Sequence, residues 1–442
     1  MVSTSFPPQN KGVRHLVTKY MLIGISEKAS TVIASAFFIV YLLEHMTFGE
    51  LGIVLSVLSL TVLFMDYPSG RLADKIGSKN VIFLAYGTYL VGWVSYIFVQ
   101  RFFVLFVLIS VIWGFATAQA SGTSRAWFVN TYKQENQGSL KNFEGNYSRV
   151  LAAIQLSTSI IVFVGGLIAV LTCPQVVFLV GTGFCGLTIL LSFCFMKEKK
   201  KQRDMRSIRD EDSTRDRTAS SLGLKSNIKK FVPFKSLIAS NNKSLSNKFA
   251  IGSLAFIYAF TIIIFRTQRM TFQPVTLNFG FNYFFLSIFE SSVVLFQSLS
   301  YYLRSKLTLK LSNETQLCIH YTIFAIICFM FAFLADTTNV LATACWIVGN
   351  FVLYFVACFF VVSFDQLYNE VIKDDTQRVS LLSLRSTVQG LVVGIASIFL
   401  GYGIENWGMQ IYLIITLVPL LCALGIKINQ RFSRLYTKSP GG

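Results

Sequence analysis

The stretch Asp66-Tyr-Pro-Ser-Gly-Arg-Leu-Ala-Asp-Lys-Ile-Gly-Ser-Lys79 decides how the chain is read. It is a short, charged, glycine-punctuated loop between two long apolar runs. Gly70 and Gly77 bracket the carboxylate of Asp74, and cations stand at Arg71, Lys75 and Lys79. So dense a cluster in a chain with few charges points to a mechanical part.

The rest of the chain is built for lipid. Of its 442 residues, 53% are hydrophobic and 14% charged, with a mean hydropathy of +0.58. Soluble domains carry about 25% charged residues. The net charge of +18 would suggest nucleic acid in a soluble protein. Here the cations alternate between loops, so no nucleic-acid partner is expected. The eight cysteines are scattered, mostly through apolar runs, and read as small buried hydrophobes rather than a disulfide framework. The polar, basic N-terminus leads into a full-length apolar run with no short cleavable core, so that run is expected to be retained.

Apolar runs place spans near 18–43, 49–66, 80–99, 102–122, 147–171, 175–196, 248–273, 281–302, 316–335, 339–362, 381–403 and 408–426. Each is long enough to cross a hydrocarbon core of roughly 30 Å. The fold class is therefore all-α integral membrane, with about twelve helices in two pseudo-symmetric six-helix bundles. One set of loops holds almost no cation beyond Arg101. The other holds Lys11, Arg14, Arg71, Lys75, Lys79, Arg304, Lys306, Arg378 and Lys427. The positive-inside rule puts both termini in the cytoplasm of a multi-pass plasma (inner) membrane protein.

The segment 197–247 divides the chain into an N-terminal bundle, 1–196, and a C-terminal bundle with its tail, 248–442. Its charged, polar composition reads as a solvated linker. Residues 224–240 fit either an amphipathic helix on the inner leaflet or plain basic linker. An offset of 233 aligns Phe48 with Phe281 and Arg71 with Arg304. The second copy of the charged loop, Leu303–Thr315, keeps cations but lacks the glycines and the central carboxylate.

The spacing G-x-L-A-D-x-x-G-x-K, with D-x-P-x-G upstream, resembles the helix 2–3 loop of major facilitator superfamily transporters. Phe37–Phe64, Phe272-Gln-Pro274 with Gly280, and Arg378–Arg385 resemble parts of that superfamily's drug-exporter-like branch. Two features depart from the branch: Val107–Gly122 has no arginine, and Ile161–Gly166 keeps only the last glycines of the helix 5 antiporter signature. The resemblance implies a secondary carrier, with proton-driven export of a small organic molecule by rocker-switch alternating access as its leading reading. It also implies that Asp66, Gly70, Arg71, Asp74, Lys75 and Gly77 form a conformational latch, with Asp74 facing the start of helix 11. A positive-inside loop around a tight turn is the plainer alternative.

Charges within the spans mark candidates for the substrate or proton pathway. Glu27 shares a face with Tyr20, Gly24 and Thr31. It either lines the path, carries a coupling proton or forms a structural pair. Arg266 and Arg269 share a face with Gln273, and Glu290 lies mid-span in the next helix. Either Glu290 neutralises an arginine, or the guanidiniums bind an anionic group. The second option makes import of an organic anion a rival to export. Trp113, Thr117, Trp346, Asn350 and Tyr354 join the list because spans 4 and 10 line the pathway in the resembled family. No phosphate loop, metal-ligand spacing or nucleophile motif occurs, so no enzyme activity, metal or cofactor is expected. The expected partners are a small-molecule substrate, the bilayer and a coupling proton, and the chain is expected to act as a monomer. A transport-dead receptor or scaffold is the reading from another class, and it explains neither the loop nor the intramembrane charges.

Overall fold

The computed structural model describes residues 11–99, 102–136, 143–196, 242–306, 311–334, 339–371 and 378–437. Most of the linker therefore lies outside the described residues, including the stretch 224–240. The first half runs α1 (Lys11–Val32), α2 (Phe38–Leu43), α3 (Phe48–Ile76), α4 (Ser78–Phe98), α5 (Phe103–Ala120), α6 (Thr123–Glu135), α7 (Phe143–Leu171) and α8 (Pro174–Phe195). The second runs α9 (Asn242–Asn278), α10 (Tyr283–Lys306), α11 (Asn313–Leu334), α12 (Val340–Val371), α13 (Arg378–Trp407) and α14 (Ile411–Thr437).

Among the described residues, 10 stretches are long and apolar enough to cross a membrane, and the last of them, Leu384–Ile428, holds both α13 and α14. Span 1 completes twelve crossings. It falls short of the apolar measure because it carries Glu27 and Lys28 and breaks between α1 and α2.

The packing has an internal symmetry. In the first half α1 packs on α7 and α8, α3 on α5, and α4 on both α5 and α8. In the second half α9 packs on α13 and α14, α10 on α12, and α11 on both α12 and α14. Advancing every span by six turns one set into the other. The two large contacts between halves, α3 with α13 and α7 with α10, also exchange under that operation. This is the parallel repeat that the 233-residue offset anticipated.

Several boundaries differ from expectation. The charged stretch is no loop: α3 continues as helix through Pro68 to Ile76, and Gly77 alone turns the chain at φ 91°. Side chains projecting beyond a membrane are charged, so composition resembles a loop while the backbone stays helical. Span 4 continues similarly into the polar α6 after Gly122, at φ 74°. Span 1, expected to be continuous, is interrupted at residues 33–37.

Several contacts hold the halves together at the end of the bundle farthest from Lys11 and Thr437, here termed the far side. Gly52 and Gly401 meet backbone to backbone, and a Cβ on either would overlap the other helix. Gly166 lies against Ser287, and Gly165 against the Ile33 carbonyl in the span 1 break, again with no room for a Cβ. The break itself is filled by Gln273 of α9. Its Oε1 accepts from the amides of Ile39 (2.9 Å) and Val40 (3.3 Å), while Nε2 donates to the Ser35 carbonyl (2.6 Å).

Burial falls off toward the termini side. Leu51, Gly52, Val54, Leu55 and Ser56 of α3 are buried, whereas no described side chain from Val57 to Pro68 is. Along α13 the buried positions begin at Val393, and none of Leu384–Val392 is buried. The halves are sealed on the far side; α3 and α13 stay close as far as Leu63 and Gly390, and burial thins toward the termini.

Replacing Gln273 by Leu leaves these backbone groups without partners where lipid-embedded protein supplies no water. Each buried orphan costs about 1–3 kcal/mol. Gln273→Leu should lower the thermal unfolding midpoint in detergent by several degrees. An unchanged midpoint would show that the break does not depend on this side chain.

Candidate functional site

The sequence candidates fall into two clusters at membrane depth. The first lies between α1, α4, α5 and α6. Glu27 accepts a short hydrogen bond from the Ser124 hydroxyl, two residues past the left-handed Gly122 that kinks α5 into α6. Tyr20, Tyr86 and Tyr89 lie within electrostatic reach of Glu27, and no described Lys or Arg forms an ion pair with it. Tyr89 donates to Thr117 Oγ1 (2.9 Å), which donates to the Trp113 carbonyl (2.7 Å). Trp113 packs edge-on against Tyr89 and Trp93, and its buried indole N–H has no partner. Thr31 bonds back to the Glu27 carbonyl within its own helix (3.2 Å).

The second cluster lies between α9, α10 and α12, at the mouth of the parting between halves. Arg266 reaches across the halves, its Nη2 donating to Ser59 Oγ of α3 (2.7 Å). One turn on, Arg269 is exposed and makes no hydrogen bond among the described residues. Glu290 of α10 likewise has no hydrogen-bond partner, and neither arginine comes within ion-pair distance of it. Arg269 and Glu290 are nevertheless close enough to influence each other and Tyr354 electrostatically. The pairing alternative for Glu290 is therefore not what this conformation shows.

A buried polar chain backs the cluster. Tyr354 donates to Gln268 Oε1 (2.5 Å), Gln268 Nε2 to Asn350 Oδ1 (2.7 Å), and Asn350 Nδ2 to the Trp346 carbonyl (2.8 Å). Trp346 donates to Thr276 Oγ1 (3.1 Å). Asn350 and Trp346, expected in the cavity, are fully buried and hold Tyr354 and Gln268 from behind. Gln273, expected on the pathway, spends its whole amide on span 1 and closes the far side.

Sequence reasoning missed Gln268 and Ser124. An isolated amide next to an arginine, with Asn350 and Tyr354 spaced four apart on another span, was the available signal for Gln268. Nothing in the sequence marks Ser124 apart from its position after a glycine.

Of the residues expected in the latch, Asp66, Gly70 and Lys75 are exposed on α3, and Gly77 forms the turn. Ser69 ties this end of α3 to α5 by donating to the Ala118 carbonyl (3.0 Å). The side chains of Arg71 and Asp74 lie outside what the structure describes. At the start of α13, Arg385 pairs with Asp365 of α12 and lies over the rings of Tyr258 and Tyr368.

Comparison with known proteins fits this arrangement. A family model for the Major Facilitator Superfamily matches residues 20–372. The structure is similar to that of the nucleoside transporter NupG, at 14% identity and a TM-score of 0.67, covering 95% of this chain and 99% of that one. It is also similar to a POT family transporter in complex with 5-aminolevulinic acid, at 13% identity and a TM-score of 0.69, covering 96% and 97%. At such identities the likeness is one of fold. No curated protein sequence matches the chain. Twelve crossings in two repeats, parted on one side around charges at membrane depth, accompany a family match over most of the length: the chain belongs to the major facilitator superfamily and is a secondary transporter rather than an enzyme.

Proposed function

We propose that the protein is a proton-coupled carrier of a small organic molecule bearing an acidic group, worked by alternating exposure of one central site. The observation that carries this reading is Arg269, a guanidinium at membrane depth with no hydrogen bond or ion pair among the described residues. A cation kept there is costly unless it serves a pathway. Its fork of donors matches a carboxylate or phosphate in two-point contact. Arg266, already held by Ser59, adds a second positive charge, and Tyr354 supplies an oxygen whose proton is committed to Gln268. Proton coupling falls to the two carboxylates that form no ion pair among the described residues, Glu290 beside the substrate and Glu27 in the N-terminal half. Asp66, Gly70, Arg71, Asp74, Lys75 and Gly77 act as the latch when the termini side closes.

We place the termini in the cytoplasm of a plasma (inner) membrane, on the distribution of Lys and Arg, and treat the monomer as the working unit. Export is the direction implied by resemblance to the drug-exporter-like branch. Import of an organic anion is the second reading, favoured by the guanidiniums of Arg266 and Arg269. Transport in inside-out vesicles under an imposed pH gradient separates the two.

5-Aminolevulinic acid, present in the complex of the similar POT transporter, heads a panel of organic acids for these assays. Arg269→Gln should raise KM for an anionic substrate roughly tenfold or more, as expected for one charge-assisted hydrogen bond, with thermal stability retained. An unchanged KM removes Arg269 from the site. Glu290→Gln should remove the dependence of net transport on the pH gradient while substrate exchange continues. A gradient response that persists in this variant assigns the proton to another group.

A further inference from the structure

The first turn of α3, on the far side, has an unusual division of labour. Thr47 and Glu50 satisfy each other in a capping box, Thr47 Oγ1 accepting from the Glu50 amide (3.3 Å) and Glu50 Oε2 from the Thr47 amide (3.0 Å). Of the donors between them, the Gly49 amide is not capped from its own half. It donates to Oε2 of Glu405, in the last turn of α13 in the other half, at 2.6 Å. Gly49 makes the approach possible: a Cβ there would stand 2.7 Å from the same carboxylate oxygen and 2.9 Å from the Tyr402 ring. One turn along each helix, Gly52 and Gly401 meet. The two contacts thus form one joint, glycine against glycine with a carboxylate at its rim.

We propose that Glu405 is a far-side latch, a positioning residue of the transport cycle that holds the far ends of α3 and α13 together while the termini side is open. A carboxylate at a helix N-terminus is stabilised by the amide donors and the positive end of the helix dipole. When the far ends separate, Glu405 passes to water and the Gly49 amide loses its acceptor, so the contact exists in one state of the cycle. The design is the inverse of the latch assigned to Asp74. In that latch a carboxylate near the end of α3 would face the start of α13 on the termini side; here a carboxylate at the end of α13 holds the start of α3 on the far side. The comparison with Asp74 rests on the proposed function, whereas Glu405 stands on the far-side contacts and is tested alone.

The experiment uses the full chain in liposomes, with the eight native cysteines replaced. Two single-cysteine reporters react with a membrane-impermeant maleimide. Ser56→Cys reads the sealed far third of α3, and Val62→Cys, one turn from Ser59 on the same face, reads the termini side. In Glu405→Gln the Ser56→Cys rate should rise about two- to fivefold, the effect of a helix-terminal charge, while the Val62→Cys rate falls. Glu405→Asp should recover part of the change. With Asp74→Asn added, both rates should move back toward the parent values if the latches oppose each other. Unchanged Ser56→Cys labelling in Glu405→Gln overturns the proposal. So does a rise at both reporters, because that is local loosening and not a shift between states. A failure confined to the Asp74→Asn arm counts against the Asp74 latch and leaves Glu405 in place.

Discussion

The amide of Gln273 sits where the fold is hardest to satisfy. A helix broken inside a membrane exposes amides and carbonyls that lipid does not solvate. An amide side chain carries both an acceptor and two donors, so one residue meets the demands of Ile39, Val40 and Ser35 together. Because Gln273 belongs to the other half, the repair of span 1 and the union of the two halves are one interaction. Gly165 then seats the neighbouring span 5 on the Ile33 carbonyl of the same break. The break, the amide and the glycine are mutually dependent, and the far-side seal is built around them.

This arrangement explains how a symmetric scaffold holds an asymmetric state. The packing of spans repeats with a step of six, yet the offset of 233 sets the break in α1–α2 against unbroken helix in α9. The stretch of α9 opposite the break carries Arg266 and Arg269, and Gln273 follows one turn on. Two of these face the parting between halves or reach across it, and the third closes the far side. The proposed substrate site and the far-side seal therefore share one helical stretch less than three turns long. Events at Arg269 have a short mechanical route to the seal.

Much of the architecture was legible because membrane crossing imposes simple rules. Apolar runs marked the spans, and the offset of 233 marked the repeat. What escaped was local backbone behaviour. The stretch from Asp66 to Ile76 has the composition of a loop, but outside the bilayer a helix takes the same charged residues at no penalty, so composition and conformation part company there. The break in span 1 left no trace, since Ile33–Phe37 is apolar apart from Ser35 and contains neither Gly nor Pro; the side chain that satisfies it, Gln273, lies 233 and more residues away. Charged candidates at membrane depth, Glu27, Arg266, Arg269 and Glu290, stood out against an apolar background. Gln268, Asn350 and Trp346 differ from ordinary packing only through hydrogen bonds made across helices, which a single sequence does not display.

The Gln273 amide holds the far side closed. Glu44 and Tyr283 flank that seal from opposite halves, the Tyr283 hydroxyl donating to Glu44 Oε1 at 2.8 Å. Cysteines placed at both positions, with the native cysteines replaced, report its closure through the rate of bridging by a short bifunctional thiol reagent in membranes, since side chains that meet at their tips leave their Cα atoms too far apart for a direct disulfide. Rapid cross-linking is expected with Gln273 present, and a large loss when Gln273→Leu is added. Equal rates in the two backgrounds would contradict a seal held by Gln273.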